Sequence, residues 1–393
     1  MRIAISGAGI GGPTLAWWLR EYGHTPVLIE RAPAPRRGGY IIDYWGSGYE
    51  VGDRMGLIPA LESDGYVVER LRSVTASGRT LSVLDARVFA QITNGRYLSI
   101  ARSDLARRIN EACAGIETRY DCTIKAVSQD ADAARLEFSD GTRESFDLLV
   151  GADGLHSNTR ALVFGPQSAH ERRLGLHVAA MILDGYRPRE ELAYVQLTRP
   201  NRQISRFALH EDRTLFLFVF ASDLLEDEPA EEAGQKAALR SIFTGLGWEA
   251  DAVLARLDEV DDLYFDRVSQ IELPRWSDGR VGLIGDAAAC ISLLGGEGSG
   301  LAMTEAYVLA GELQRARGDH RAAFAAYERR MQPYLANKQA GARRFKGFFA
   351  PKSWTGVIAR EAMTALAALP FLTRRLLGAG LSDSMPLPDY GRH

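Results

Sequence analysis

The amino-terminal stretch from Arg2 to Arg31 constrains the fold more than any other part of the chain. It begins with a short apolar run, continues as Gly7-Ala-Gly9-Ile-Gly-Gly12 and an apolar helical segment, and ends in Pro-Val-Leu-Ile-Glu30. This order predicts a strand, a glycine turn, a helix and a second strand. Such a unit is the usual beginning of a parallel sheet with helices packed on its faces.

The glycines and the acid of this stretch indicate a dinucleotide site. Gly7 permits the tight turn, Gly9 lets backbone N–H groups approach a pyrophosphate, and Gly12 lets helix and strand pack closely. Glu30 follows at about the 20-residue distance at which a carboxylate accepts hydrogen bonds from an adenosine ribose. The chain has 39 glycines among 393 residues, so a purely structural turn is the alternative. The flanking strand and helix and the position of Glu30 favour the dinucleotide.

Length and composition exclude several classes of protein. A chain of 393 residues exceeds one ordinary core and predicts two domains, or one domain with a large insertion. A charged fraction of 25% and a net charge of −3 give no reason to expect a nucleic-acid partner. Cys113, Cys122 and Cys290 lack metal-ligand spacing, so we expect no metal site, reduced thiols and a cytoplasmic location.

No segment predicts a membrane span or a signal peptide. The amino terminus lacks the charged, apolar and cleavage regions of a secretory signal, and no run of about 18 uninterrupted apolar residues occurs. Residues 357–381 come closest, but Arg360, Glu361, Arg374 and Arg375 interrupt them. We expect an amphipathic helix packed on the protein's own surface, with a peripheral membrane helix as the alternative.

Two further apolar runs end in glycine and aspartate. Residues 146–150 lead into Gly-Ala-Asp153-Gly, and residues 279–285 lead into Asp286. Each run predicts a short buried strand, and each aspartate would lie at the carboxyl edge of a parallel sheet. Ligands of such sheets bind at that edge.

Two helix starts carry candidate ligand-binding groups. The segment with Gly296, Gly298 and Gly300 opens a long helix, and its free N–H groups favour a carbonyl oxygen or an anion; a flexible loop is the alternative. Arg102 precedes a helix for which Ser103 is a natural N-cap. An arginine at such a place is either a solvated surface residue or a phosphate ligand, and the spacing alone does not decide between them.

The character of the chain changes between residues 174 and 273. Strand-like runs follow one another directly there, over residues 176–183, 192–198, 203–209 and 214–221. Earlier in the chain, residues 71–90 predict a further hairpin. Strands joined to strands imply an antiparallel sheet and hence a second layer. Phe216, Phe218 and Phe220 alternate along one strand, which predicts core packing or, alternatively, the roof of an apolar pocket.

Three ordered motifs resemble one family of flavoenzymes. The Gly7 motif, Gly151-Ala-Asp-Gly154, and Gly285-Asp286 with its glycine-rich helix start are arranged as in the class A flavin-dependent aromatic monooxygenases, the para-hydroxybenzoate hydroxylase family. The run Gly38-Gly39, then Gly46-Ser-Gly48, is similar to the tetracycline-inactivating members. The resemblance covers nearly the whole chain.

The resemblance implies an α/β fold: a Rossmann-like FAD-binding domain with an inserted antiparallel-sheet substrate domain and C-terminal helices. The implied FAD-binding domain comprises residues 1–70, 97–173 and 274–340. The implied substrate domain comprises residues 71–96 and 174–273, and residues 341–393 form a C-terminal helical segment.

The resemblance also implies the cofactor-binding residues. In the family the Asp-Gly motif, here at Asp153, serves both FAD and NADPH binding. The implied FAD contacts are Gly7, Gly9, Gly12, Glu30, Arg31, Arg37, Asp43, Arg102, Asp153, Asp286, Gly296, Gly298 and Gly300.

By the same resemblance, NADPH or NADH reduces FAD and O₂ adds at the flavin C4a carbon. The resulting hydroperoxide then hydroxylates an aromatic or polycyclic small molecule, such as a polyketide, or inserts oxygen beside a ketone. No catalytic side chain is required, because the flavin carries the chemistry. The candidate substrate contacts are Tyr40, Tyr44, Trp45, His177, Arg206 and Phe218.

The chain departs from the family pattern beside the Gly-Asp motif. Ala289, Ser292 and Leu293 stand where the family commonly has a histidine and prolines, which leaves substrate positioning by those residues open. One alternative is a flavin reductase or halogenase of the same fold, although the lysine and tryptophan signature of a halogenase is not found. Another is a flavoprotein that sequesters a polycyclic ligand without turnover.

Overall fold

The computed structural model describes residues 1–35, 40–292, 296–367 and 385–391, and of residues 345 and 346 it describes the backbone alone. A six-stranded sheet forms its first layer. In spatial order the strands are β17 (Ser277–Asp278), β18 (Val281–Leu283), β11 (Leu148–Gly151), β1 (Arg2–Ser6), β2 (Thr25–Ile29) and β7 (Glu117–Arg119). Neighbouring strands run parallel except β17 and β18. The predicted parallel sheet is confirmed.

The four central strands of the first sheet, β18, β11, β1 and β2, are mostly apolar and buried, whereas the edge strands β17 and β7 are polar. Ile3 and Ile5 pack with the helices α1 (Gly11–Glu21) and α10 (Gly298–Arg315), whereas Ala4 faces a small antiparallel sheet. That small sheet consists of β8 (Ile124–Gln129), β9 (Ala134–Phe138) and β10 (Arg143–Phe146). The six-stranded sheet therefore lies between a layer of helices and the small antiparallel sheet.

A seven-stranded sheet forms the second layer. In spatial order the strands are β16 (Tyr264–Ile271), β12 (Glu171–Asp184), β15 (Arg213–Ala221), β14 (Arg202–Ala208), β13 (Ala193–Arg199), β4 (Arg70–Val74) and β5 (Thr80–Asp85). The predicted hairpin of residues 71–90 is β4 and β5. The sheet is antiparallel with one exception, because β13 pairs parallel with β4. The expectation of a purely antiparallel sheet is corrected at that pair.

Side-chain alternation gives the second sheet two different faces. Phe216, Phe218 and Phe220 are fully buried, and Phe218 meets Phe243 of helix α7 (Glu232–Phe243) with ring centroids 5.0 Å apart. Successive strand residues point to opposite faces, so Leu217 and Val219 point the other way. The phenylalanine stripe is core, as the first of the two sequence interpretations predicted.

The remaining elements connect and cover these layers. A two-stranded sheet pairs β3 (Ile41–Trp45) with β6 (Tyr97–Ala101). The other helices are α2 (Gly46–Arg54), α3 (Ile58–Asp64), α4 (Arg87–Ile92), α5 (Arg102–Ala112), α6 (Asn158–Val163), α8 (Ala250–Ala255), α9 (Asp286–Ala289), α11 (His320–Phe349) and α12 (Trp354–Ala367), with 3₁₀ turns at Gln167–Ala169, Ser222–Leu224 and Leu257–Glu259. Among the residues described, no helix has the length and apolar character needed to cross a bilayer.

Candidate functional site

A large cavity lies between the first sheet and one face of the second sheet. Its volume is about 1870 Å³, above the roughly 300–1,000 Å³ typical of a pocket for one drug-sized ligand. All three sequence motifs contribute lining residues, namely Gly7 and Gly9, Asp153, and Asp286 with Gly296 and Gly298. The cavity therefore has room for an extended cofactor and a second ligand.

The turn between β1 and α1 forms one end of the cavity. Gly7 has a φ of +108°, and a Cβ there would lie 2.5 Å from the carbonyl oxygen of Ala152. Gly9 lines the cavity, whereas Gly12 does not. The role of Gly12 is packing, since the absence of a Cβ there makes room for the carbonyl of Gly7. Helix α1 begins without a side-chain cap, so its first N–H groups are available to an anion.

Glu30 is held at the end of β2 by backbone groups. Its two carboxylate oxygens accept hydrogen bonds from the amides of Ala8 and Ala32, each at 2.9 Å. A carboxylate oxygen can accept more than one hydrogen bond, so Glu30 can still receive hydroxyl donors from the cavity it lines. Arg31 lines the cavity beside it.

Arg102 and Asp286 place opposite charges in the same cavity wall. Arg102 begins α5, its amide donates to the carbonyl of Tyr40 at 3.0 Å, and its guanidinium forms no ion pair with any residue in the described ranges. Burial raises the pKa of Asp286, while a hydrogen bond from Cys290 and the charge of Arg102 lower it. Arg102 is thus a cation that remains available to an anionic ligand.

Behind Asp286 lies a buried carboxyl group, that of Glu305 on α10. One of its oxygens accepts hydrogen bonds from the amide of Gly285 at 3.0 Å and from the hydroxyl of Tyr327 at 2.7 Å. Burial raises the pKa of Glu305 to about 8. Since Gly285 is the residue before Asp286, Glu305 anchors the turn that presents Asp286 to the cavity.

Asp153 lines the cavity, yet its carboxylate is already engaged by the protein. It accepts hydrogen bonds from the amide and hydroxyl of Thr159 at 2.8 and 2.9 Å, from the hydroxyl of Ser6 at 3.3 Å, and from the hydroxyl of Ser157. These contacts fix the loop that leads into α6. A ligand would share oxygens that already hold the strand end and the helix start together.

Three predicted residues of the Tyr40–Trp45 segment line the cavity, namely Tyr40, Asp43 and Trp45. Burial raises the pKa of Tyr40 to about 12, and its ring lies 5.4 Å from that of Tyr264. The carboxylate of Asp43 accepts hydrogen bonds from the hydroxyls of Tyr97 and Ser99, both at 2.7 Å.

Gly300, Arg37 and two residues of the segment that departs from the family pattern need comment. Gly300 does not line the large cavity; its backbone packs against that of Gly48, where a Cβ would clash with it. Ser292 lines the cavity, with φ of +87°. Arg37 and Leu293 lie outside the described residues.

The structure places three of the predicted substrate contacts on the wrong face of the second sheet. Phe218 is core, as described above. Arg206 is buried on that same face, where it pairs with Glu249 at 3.0 Å, and His177 stacks on Phe220 at 5.6 Å. Side chains alternate between the two faces of a strand, and these three point to the face away from the cavity. Their assignment as substrate contacts is therefore corrected.

Tyr44 is also away from the cavity. Its side chain is fully buried beneath α2, and its hydroxyl donates to the carbonyl of Gly48 at 2.6 Å. Its neighbours Asp43 and Trp45 point to the cavity, so the alternation of β3 excludes Tyr44 from it. Its assignment as a substrate contact is corrected as well.

The second sheet supplies lining residues that sequence reasoning missed. Alternate positions on the three adjacent strands β13, β14 and β15 face the cavity, namely Tyr194, Gln196, Gln203, Ser205, Leu217 and Val219. Tyr264 and Asp266 of β16 extend the same wall. At the same wall His156 Nε2 hydrogen-bonds to the carboxylate of Asp266, which accepts at 3.0 Å, and this contact raises the pKa of His156. Period-two alternation would have grouped these residues, but the sequence alone did not say which face meets the cavity.

Comparison with known proteins places these features in a family context. The FAD binding domain family matches residues 1–336. A flavin-dependent monooxygenase of Legionella longbeachae serogroup 1 (strain NSW150) is 30% identical over 397 residues, covering 99% of this chain and 98% of that protein.

Two solved structures have the same architecture. The tetracycline destructase Tet(55) is 31% identical with a TM-score of 0.84, covering 99% of this chain and 98% of that one. Klebsiella pneumoniae HpxO, solved with FAD and uric acid, is 23% identical with a TM-score of 0.81, covering 97% of this chain and 96% of that one. The likeness to HpxO shows the fold.

Proposed function

Because the chain belongs to the FAD binding domain family and is a flavin-dependent monooxygenase, we propose that it uses NADPH or NADH and O₂ to oxidise a polycyclic aromatic small molecule. The observation that carries this proposal is the continuous cavity of about 1870 Å³ between the Gly7 turn and the second sheet. An adenine dinucleotide and a substrate ring system can share it.

The residues at the first-sheet side of the cavity fit FAD. The uncapped start of α1 suits a pyrophosphate, as does the guanidinium of Arg102, which has no ion-pair partner in the part of the chain that the structure describes; Glu30 suits the hydroxyls of a ribose. The amides near Gly296 and Gly298, where α10 begins without a side-chain cap, suit a carbonyl oxygen of the flavin ring. Arg31, Asp43, Asp153 and Asp286 complete the proposed contacts along the same wall.

Bound FAD would supply the redox chemistry, taking electrons from NADPH or NADH and activating O₂ for oxygen transfer. The chain's own residues hold the substrate against the cofactor and exclude water. Leu217, Val219 and Tyr264 offer an apolar wall, and Tyr40 and Trp45 approach from the first-sheet side. These residues replace Tyr44, His177, Arg206 and Phe218 as the proposed substrate contacts.

The substrate class is inferred from the cavity and from two relatives. Tet(55) is named for tetracycline, a polycyclic compound, and HpxO was solved with uric acid, a fused heteroaromatic ring. The cavity volume favours a compound of several fused rings. Because the three cysteines are unpaired, we also place the protein in the reducing cytoplasm.

The test is a cofactor assay followed by a turnover assay. We expect purified protein to be yellow and acid precipitation to release all of its flavin as FAD, since no attachment motif surrounds any of the three cysteines. NADPH and NADH oxidation is then measured against tetracycline, anthraquinones and simple phenols, with ¹⁸O₂ and product mass spectrometry. Colourless protein, or ligand-dependent NAD(P)H oxidation without ¹⁸O in any product, would contradict the proposal.

A non-catalytic sequestering flavoprotein is the competing function. The observation that favours it is Ser292, which lines the cavity where the family commonly has a proline. The turnover assay separates the two functions, because a sequestering protein binds the polycyclic ligand tightly without accelerating NAD(P)H oxidation.

A further inference from the structure

We propose that Gln203 is a specificity-determining hydrogen-bond donor that recognises a ring carbonyl oxygen of the substrate, and that Thr198 and Arg360 orient it. This inference rests on the proposed function, because it assigns ligand chemistry to one wall of the same cavity. It concerns a neutral amide on the second sheet, not the cofactor side of the cavity.

Gln203 stands on the cavity face of β14. It lies two residues before Ser205 and directly beside Val219 in the pairing with β15, and all three line the cavity. Its side chain is 4% exposed, so any group that it binds must come from within the cavity. Thr198 is its direct partner across the β13–β14 ladder.

A chain of hydrogen bonds fixes which end of the Gln203 amide faces Thr198. Arg360 of α12 donates from Nη1 to the hydroxyl oxygen of Thr198, and an arginine has no acceptor to offer in return. The proton of the Thr198 hydroxyl is therefore free to go to Gln203, whose Oε1 accepts it at 3.1 Å. If the amide were reversed, that hydroxyl proton would lose this acceptor.

This orientation leaves the NH₂ group of Gln203 as the free end. Within the described ranges it donates no hydrogen bond to protein, although the residue is buried. Because this donor faces the cavity, an acceptor oxygen on a ligand would pair with it, whereas a ligand without such an oxygen would leave it unpaired. A ring carbonyl supplies such an oxygen.

Arg360 shows that the structure maintains this arrangement at a cost. The guanidinium is 3% exposed, its Nε has no hydrogen-bond partner among described groups, and burial lowers its pKa. Its carboxylate neighbour Glu361 lies 3.3 Å away and also accepts a hydrogen bond from Ser82. A buried cation is costly, so its role in directing the Thr198 hydroxyl is a reason for its presence.

The experiment compares four variants of the FAD-loaded protein. Gln203→Leu removes the donor at similar volume, Thr198→Val removes the orienting hydroxyl, and Thr198→Ser restores it. Thr214→Val is the matched control, because Thr214 is a fully buried threonine on the opposite face of the same sheet. The probes are 1,8-dihydroxyanthraquinone and 1,8-dihydroxyanthracene, which differ in the ring carbonyls, titrated anaerobically by flavin fluorescence.

We expect Gln203→Leu to weaken anthraquinone binding on the order of tenfold and anthracene binding by less than about twofold, as loss of one hydrogen bond predicts. Thr198→Val should weaken anthraquinone binding by about threefold, because the amide is then free to turn. Thr198→Ser and Thr214→Val should match the unmodified protein. FAD content and Tm should be similar in all variants.

Three outcomes would overturn the proposal. Equal weakening of both probes by Gln203→Leu would assign Gln203 a packing role, and unchanged anthraquinone binding would show that it makes no contact. In both cases the monooxygenase proposal stands. If the unmodified holoprotein binds neither probe nor tetracycline, the polycyclic substrate class fails, and this inference fails with it.

Discussion

Replacement of Glu305 by glutamine should change the pH dependence of stability more than any other single substitution on α10. The carboxyl group is 1% exposed, and burial raises its pKa from an ordinary value of 4.5 to about 8. Glutamine keeps an oxygen that can accept from Gly285 and Tyr327 but carries no titrating proton.

The sign follows from proton binding. Between pH 4.5 and 8 the unfolded chain has lost the Glu305 proton while the folded protein retains it. Stability therefore falls as pH rises through this window. With 1.36 kcal/mol for each pKa unit, the wild-type protein should lose roughly 3–4 kcal/mol relative to Glu305→Gln between pH 5 and pH 8.

The assay is urea unfolding followed by tryptophan fluorescence at pH 5, 6.5 and 8. Free FAD is held constant, because a ligand that binds only the folded state adds to stability. Tyr327→Phe is the matched control, since it removes a donor to the same oxygen but keeps the titrating carboxyl. Because that hydrogen bond lowers the pKa of Glu305, the fall in stability with rising pH should persist in Tyr327→Phe. Parallel pH profiles for wild-type and Glu305→Gln proteins would refute the reasoning.

Two further predictions test the two sides of the cavity. Asp286→Ala should reduce FAD retention more than Asp43→Ala. Loss of a charge-assisted hydrogen bond costs about 1.5–3 kcal/mol, and the Asp43 carboxylate already accepts hydrogen bonds from Tyr97 and Ser99. Equal flavin content after gel filtration would count against the assignment. Phe218→Ala should destabilise the fold by about 3–5 kcal/mol without altering ligand selectivity. Leu217→Ala should raise peroxide release per NAD(P)H consumed, at unchanged FAD content and Tm. A change of selectivity in Phe218→Ala alone would reverse our assignment of the two faces.

Local sequence was sufficient to predict the four central strands of the first sheet. The turn at Gly7 and the strands that end near Asp153 and Asp286 are each encoded by a few adjacent residues, and the structure confirms a parallel sheet built from them. Parallel strands buried on both faces are apolar throughout, so they stand out in the sequence. The glycines of the turn at Gly7 could be interpreted because they, too, form a pattern of a few adjacent residues.

The cavity face of the second sheet was not predictable in the same way. Residues 215–220 of strand β15 read Leu-Phe-Leu-Phe-Val-Phe and are apolar at every position, so the sequence does not tell which face of the strand meets the cavity. His177 and Arg206 looked like ligand contacts because they are polar. Their actual partners, Ser222 and Glu249, lie 45 and 43 residues further along the chain, a proximity that strand periodicity cannot reveal.

The two faces of β14 and β15 allow substrate selectivity to change in evolution independently of the stability of the fold. Ile204, Phe216, Phe218 and Phe220, at even-numbered positions, pack in one core cluster with α7. Gln203, Ser205, Leu217 and Val219, at odd-numbered positions, line the cavity. A lineage can exchange odd-numbered side chains to accept a new ring system while the even-numbered core stays fixed. Descendants of one such scaffold can therefore acquire different substrates by single substitutions, each with little effect on the stability of the fold.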